Sequence, residues 1–177
     1  MLNIRRADAA DVALLLQLIQ ELADYERMPN AVVATTNDLL RDGWGPAPKF
    51  RCVIAEWRNE GGAEAPGWHT AGFALFFYNY STFHGSSGLY IEDLFVRPEF
   101  RRRGIGKALL AYLAELALRE FCSGLQWQVL DWNTSSIEFY KRLGAHFTKE
   151  WLTMRLDGGP LQKLAMSDFQ SGLNPGV

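Results

Sequence analysis

Cysteine is scarce: Cys52 and Cys122 are the two in 177 residues, and they stand far apart. That excludes a disulfide framework and a Cys-x-x-Cys metal site, and it reads as two buried thiols of a reducing compartment. Histidine is scarce too, and His69, His84 and His146 show no ligand spacing, so no metal is expected. No apolar run reaches the ~18 residues of a membrane span. The opening "MLNIRRADAAD" lacks the apolar stretch of a secretory leader, and a cytoplasmic, membrane-free protein is expected. There is no excess of charge of one sign: Lys and Arg number 18, Asp and Glu 20, for a net charge of −2. A general nucleic-acid or acidic-membrane binder would be strongly basic, so neither partner is expected. Repeats, low-complexity tracts and interdomain linkers are absent, which leaves one domain over 1–157 with 158–177 as its C-terminal helix and tail.

What is present alternates between two periodicities. "NIRRA" reads as a short strand. Asp8 then caps a helix whose apolar stripe runs Val12, Leu15, Leu16, Ile19, Leu22 and Ala23. "TTNDLLRDG" reads as a second helix with Thr36 as cap and Gly43 as stop. "FRCVIAEW", "TAGFALFFYNY" and "LYIEDLFV" are rich in aromatic and β-branched residues and read as strands, the first two joined through "RNEGGAEAPGWH". "KALLAYLAELALREF" buries one face through Leu109, Leu110, Leu113, Leu116 and Ala117. "LQWQVLD" is expected as a strand, "TSSIEFYKRLG" as a helix stopped by Gly144, "WLTMRL" as a last strand and "LQKLAM" as a short helical piece before an unstructured "SGLNPGV". Meandering strands first and strand–helix–strand alternation later predict an α/β (α+β) domain with a mixed sheet.

The most informative stretch is "EDLFVRPEFRRRGIGKALL", Glu92 to Leu110. Its arginines and glycines follow a strand and open an amphipathic helix. The first N–H groups of a helix lack internal partners and its dipole favours an anion, so this turn is a candidate phosphate cradle. Gly104 and Gly106 leave the backbone bare, and Arg97, Arg101, Arg102, Arg103 and Lys107 attract a multiply charged anion. A solvated basic turn is the plainer reading of the same residues.

"R-R-R-G-I-G", read as R-x-x-G-x-G, resembles the acetyl-CoA pyrophosphate loop of the GNAT superfamily of N-acetyltransferases. The similarity runs through "LIQELADYE", "NYSTFHGSSGLYIEDLFVRPEFRRRGIG", "VLDWNTSSIEFYKRLGA" and "LQKLA", and is nearest to the diamine and thialysine branch that includes spermidine/spermine acetyltransferases. This branch usually carries glycine where Arg102 stands. The resemblance implies a mostly antiparallel twisted sheet flanked by helices, with a cofactor cleft between two splayed central strands. It also implies acetyl-CoA as co-substrate, a small-molecule amine as partner, and a homodimer.

Acetyl transfer from a thioester to an amine needs a neutral amine, although a free alkylammonium has a pKa near ~10. It also needs help for the developing oxyanion and a proton for the departing thiolate. On a regular strand Glu92 shares a face with Tyr90, Leu94 and Val96, and Asp93 with Ile91 and Phe95. By resemblance Glu92 draws the proton from the amine and both acids attract a cationic substrate; either acid alternatively pairs with an arginine. The resemblance further assigns the backbone of Leu94, Phe95 and Val96 to the pantetheine arm and Arg101, Arg102, Arg103, Gly104, Ile105, Gly106 and Lys107 to the pyrophosphate. It gives Asn133 and Ser136 to the cofactor and Tyr140 to the cofactor and the leaving sulfur. By residue type alone Tyr140 reads equally as a core aromatic and Asn133 as a helix cap. Tyr25 and Glu26 match the branch's substrate-contacting pair, and Glu150 and His84 are further candidates on the substrate side.

The acceptor is argued from a departure. Polyamine enzymes of the branch usually place an acid and a tryptophan around Thr82 and His84, and this chain has neither there. A thialysine- or lysine-like amino acid or a short diamine is therefore expected, with a polyamine acetyltransferase or a non-catalytic acyl-CoA-binding domain as alternatives. A nucleic-acid module using the arginine run would need basic residues spread over a face, and this cluster is compact.

Overall fold

Five runs of β-formers pair into one sheet in chain order: β1 (Leu2–Arg6), β2 (Arg51–Trp57), β3 (His69–Ser81), β4 (Ser86–Val96) and β5 (Leu125–Trp127). A computed structural model of the chain describes residues 1–59 and 67–167. The first four strands are antiparallel, and β5 joins β4 in parallel over Leu89–Ile91. The helices are α1 (Val12–Tyr25), α2 (Thr36–Trp44), α3 (Ile105–Arg119), α4 (Thr134–Arg142) and α5 (Gly158–Ser167). The chain divides into two compact units, Met1–Gln128 and Val129–Val177. The first holds the sheet and α1 to α3; the second holds α4 and α5.

Both faces of the sheet are covered, which is why β2 reads as a nearly unbroken buried run rather than an alternating one. On one face Val12, Leu15 and Leu18 of α1 and Leu39 of α2 pack on Cys52, Phe73, Leu75 and Phe95. The intervening strand residues Val53, Ala74 and Phe76 are buried as well, and α3 lies against β2, β3 and β4. All five apolar residues expected on the buried face of α3 are buried, with Ile105 added.

Local sequence accounts for most boundaries. Asp8 caps a 3-10 turn, Ala9–Asp11, and Asp11 caps back onto the Asp8 backbone before α1 begins. Asp11 is also gripped by both ends of the Arg5 guanidinium, at 2.6 and 2.8 Å. For α2 the cap is Thr35 rather than Thr36, because Thr35 and Asp38 form a reciprocal capping box, and the helix runs past Gly43 to a C-cap at Gly45. Cys52 is buried as expected, whereas Cys122 is only partly so.

Three expectations differ at the C-terminal end. "LQWQVLD" is a strand only over Leu125–Trp127. "WLTMRL" is not a strand: residues 151–157 join no ladder among the described residues and their side chains are exposed. Alternation alone does not make a strand without a neighbour to pair with. The expected piece "LQKLAM" lies in the longer α5. The hairpin stretch 60–66 and the tail "SGLNPGV" fall outside the described residues.

Candidate active site

The site begins with a break in register. Along β4, Ile91 faces Phe76 and Asp93 faces Leu75, so Glu92 is an extra residue with no opposite number. This β-bulge interrupts the period of two. Facing residues of an antiparallel ladder project to the same side. Asp93 therefore lies with Leu75 and Phe95 on the α1 side, while Ile91, facing Phe76, projects to the other. The expected grouping of Asp93 with Ile91, and of Glu92 with Tyr90, Leu94 and Val96, is corrected by that one inserted residue. The bulge also falls where β5 leaves: the parallel ladder ends at Ile91 and Trp127. From Asp93 to Val96 the β4 edge away from β3 has no ladder partner among the described residues.

Asp93 is half-buried, and its carboxyl has no hydrogen bond or ion pair among the described residues. Burial pushes its pKa up to about 7, and the nearby charges of Glu92 and Glu26 push in the same direction. Glu26 is the C-cap of α1, and its own pKa is raised by burial. Glu92 is exposed. Among the described residues no fully buried side-chain polar atom lacks a partner, so the unpaired Asp93 oxygens remain reachable from solvent. Three acids, Glu26, Glu92 and Asp93, thus form one negative locality at the bulge. A carboxyl held near neutrality there can take a proton from a cationic amine.

Immediately beyond β4 the chain makes a 3-10 turn, Pro98–Phe100, and enters α3 through Gly104. Gly104 has φ 80, and a Cβ there would meet open space, so glycine is required by conformation rather than by room. The N-terminus of α3 has no side-chain cap and no acid in its first turn. Arg102, Arg103 and Lys107 stand exposed around it. Uncapped N–H groups, a bare glycine and exposed cations fit the diphosphate of a nucleotide-type cofactor.

The arginines are not equivalent. Arg97 is committed to structure: Nε and Nη2 donate to the two Glu21 oxygens, each at 2.7 Å, and Nη1 donates to the Thr70 carbonyl at 3.0 Å. Arg101 donates from Nε to the Val96 carbonyl at 2.9 Å, and its guanidinium lies 4.4 Å from the Tyr25 ring centroid and 5.9 Å from that of Phe95. Arg103 lies over Trp57 at 5.3 Å and Phe100 at 5.9 Å. Arg102 adopts φ 62, a left-handed conformation that disfavours any residue with a Cβ. Glycine would adopt that conformation without the penalty.

The remaining candidates separate. His84 sits in the turn of the β3–β4 hairpin, bound through its ring and its N–H to the Ser81 hydroxyl. That turn lies roughly 20 Å along β4 from the acids at ~3.3 Å per residue, so His84 is not brought to them. In the second unit Asn133 caps α4, its Oδ1 accepting from the Ser136 N–H at 3.3 Å and from the Ser135 hydroxyl at 3.3 Å. Ser136 and Tyr140 are four residues apart on α4 and share a face, and the Phe139 ring is tilted against that of Tyr140 with centroids 5.3 Å apart. Glu150 is exposed in a turn. Sequence reasoning missed Glu21, whose role depends on a partner 76 residues away.

The sequence profile of the acetyltransferase (GNAT) family matches residues 15–145. This chain belongs to that family. Thialysine N-epsilon-acetyltransferase of Bos taurus is 38% identical over 165 residues, covering 92% of this chain and 96% of the relative. L-ornithine N5-acetyltransferase of Arabidopsis thaliana is 31% identical, over 92% of this chain and 87% of its own. Among solved structures, an integron cassette protein from the mobile metagenome of V. cholerae superposes with a TM-score of 0.75 at 27% identity, covering 94% of this chain and 98% of that one. As a GNAT protein the chain carries the expected fold: a mixed, mostly antiparallel sheet flanked by helices, with β4 and β5 parting at the bulge. Among the described residues no three His, Cys, Asp or Glu come together as a metal-holding group, and no helix is long and apolar enough to cross a membrane.

Proposed function

We propose that this GNAT protein is an acetyl-CoA-dependent N-acetyltransferase of small primary amines, with a lysine-like amino acid or short diamine as acceptor. The observation that carries the reading is Asp93. A reachable carboxyl held near pH 7 among acids lies on the strand that leads straight into an uncapped, cation-flanked helix N-terminus. The acidic locality attracts the ammonium, and in place of Glu92, the expected acceptor, which stands exposed, Asp93 is proposed to take its proton, with Glu92 maintaining the field that keeps Asp93 basic enough. The neutral nitrogen attacks the thioester carbonyl directly; the new C–N bond forms, the C–S bond breaks, the nitrogen gives up its second proton to solvent, and the thiolate takes a proton, leaving the N-acetyl amide and the free thiol of coenzyme A. Tyr140 is the proposed donor of that proton. The open edge of Leu94, Phe95 and Val96 holds the pantetheine arm, and Arg102, Arg103, Gly104, Ile105, Gly106 and Lys107 hold the pyrophosphate. Asn133 and Ser136 contact the cofactor, and Tyr25, Glu26 and Glu150 belong to the substrate side.

The relatives support the acceptor class, since the cattle protein is named for thialysine and the Arabidopsis protein for L-ornithine, both amino acids with a side-chain amine. The protein is further proposed to act in the cytoplasm as a homodimer, with 158–177 continuing the 1–157 domain and without metal, nucleic acid or membrane. Purified protein with acetyl-CoA, offered thialysine, lysine, ornithine, putrescine and spermidine in parallel, tests the reading by thiol release. A kcat/KM for an amino acid above that for spermidine is expected. Preference for spermidine would replace the acceptor class, and no release with any amine would leave an acyl-CoA-binding domain.

A further inference from the structure

Helix α1 is tied to the segment after β4 by two rungs of equal spacing. Glu21 and Tyr25 lie four residues apart on one face of α1, and Arg97 and Arg101 lie four residues apart on either side of the 3-10 turn. The first rung, Glu21 to Arg97, is a two-point charge-assisted pair at 2.7 Å. The second has no carboxylate. Arg101 stacks on Tyr25 at 4.4 Å and spends its Nε on the Val96 carbonyl, and no acid among the described residues pairs with it. Beyond this rung stands Glu26, one of the charges felt by Asp93.

We propose that Arg101 is a positioning residue for the acceptor amine: by clamping Tyr25 to the end of β4 it holds the α1 terminus, with Glu26, against the strand that carries Asp93. The proposal rests on the acetyltransferase reading of this site. It departs from the motif-based expectation that Arg101 grips the pyrophosphate. In this structure its fork is turned to the α1 side, while Arg102, Arg103 and Lys107 remain exposed at the start of α3. A flat guanidinium is needed for the clamp, because an ammonium cannot both stack on the ring and present a fixed N–H to the carbonyl.

The test is Arg101→Lys, which keeps the charge and removes the flat fork. Calorimetric titration with L-ornithine in the presence of coenzyme A reads acceptor affinity without turnover, and titration with coenzyme A alone reads the cofactor side. Acceptor affinity is expected to fall about five- to tenfold, with coenzyme A affinity changed less than about twofold. In turnover the same variant should raise acceptor KM more than it lowers kcat. Tyr25→Leu should reproduce the acceptor defect, and adding Arg101→Lys to it should cost little more, since both remove one clamp. Thermal unfolding checks that each variant folds. Unchanged acceptor affinity in a folded Arg101→Lys protein, or a tenfold loss of coenzyme A affinity alone, overturns the proposal. Thiol release by the unaltered protein reports on the acetyltransferase reading independently, so failure of one is distinguishable from failure of the other.

Discussion

An exposed aspartate is fully ionised at pH 7, whereas Asp93 stands near its midpoint there because burial and two neighbouring acids oppose its charge. This has two consequences of opposite sign. In the proposed role of Asp93 as proton acceptor the carboxylate form is needed, so kcat/KM should fall as pH drops below about 7. For stability, the folded chain holds a proton on Asp93 that the unfolded chain has already released between its ordinary value of 3.8 and about 7. Stability from this group is therefore full below that window and is lost as pH rises through it. Asp93→Asn mimics the protonated form and should unfold at higher denaturant than the parent at pH 8, with the difference closing towards pH 4. The same variant should lose on the order of 100-fold or more in turnover and its acidic limb with it. Equal unfolding midpoints at pH 8 would show that Asp93 ionises without cost.

At the scale of elements, the turn into α3 carries a similar local cost. Arg102 is held at φ 62, two residues before Gly104 at φ 80. Arg102→Gly should stabilise the fold by about 1 kcal/mol, the left-handed penalty less the added freedom of glycine in the unfolded chain. Urea unfolding checks this, and a destabilised variant would mean that the Arg102 side chain contributes more than its backbone costs. The buried face of α3 was legible residue by residue, because helical spacing of apolar side chains is a local signal that the core merely accepts. The resemblance likewise marked the adjacent acids and the arginine–glycine turn. The bulge at Glu92 was not legible, since it exists only in the pairing of β4 with β3, and nothing in "IEDLF" states which residue of Leu75 and Phe76 each one faces. Nor was the division of labour among the arginines legible. It is decided by Glu21 and Tyr25, which enter from a distant helix. The last expected strand failed for the same reason in reverse: residues 151–156 have a strand's composition and no neighbour in any ladder among the described residues.

Across the whole molecule the net charge of −2 hides a segregation, with acids gathered at the bulge and cations a few residues further on at the start of α3. Between them runs the β4 edge that β5 abandons after Ile91. Its alternate backbone groups are as apt for an extended polypeptide as for an amide-bearing cofactor arm. In the proposed reading a feature that serves turnover is a hazard for storage, and the ligand-free protein is expected to associate edge to edge. In concentrated solution at fixed pH, light scattering should grow more slowly with saturating coenzyme A than without it, and equal growth would show the edge to be harmless. Shelf life, in this protein, is expected to be a property that its substrate confers.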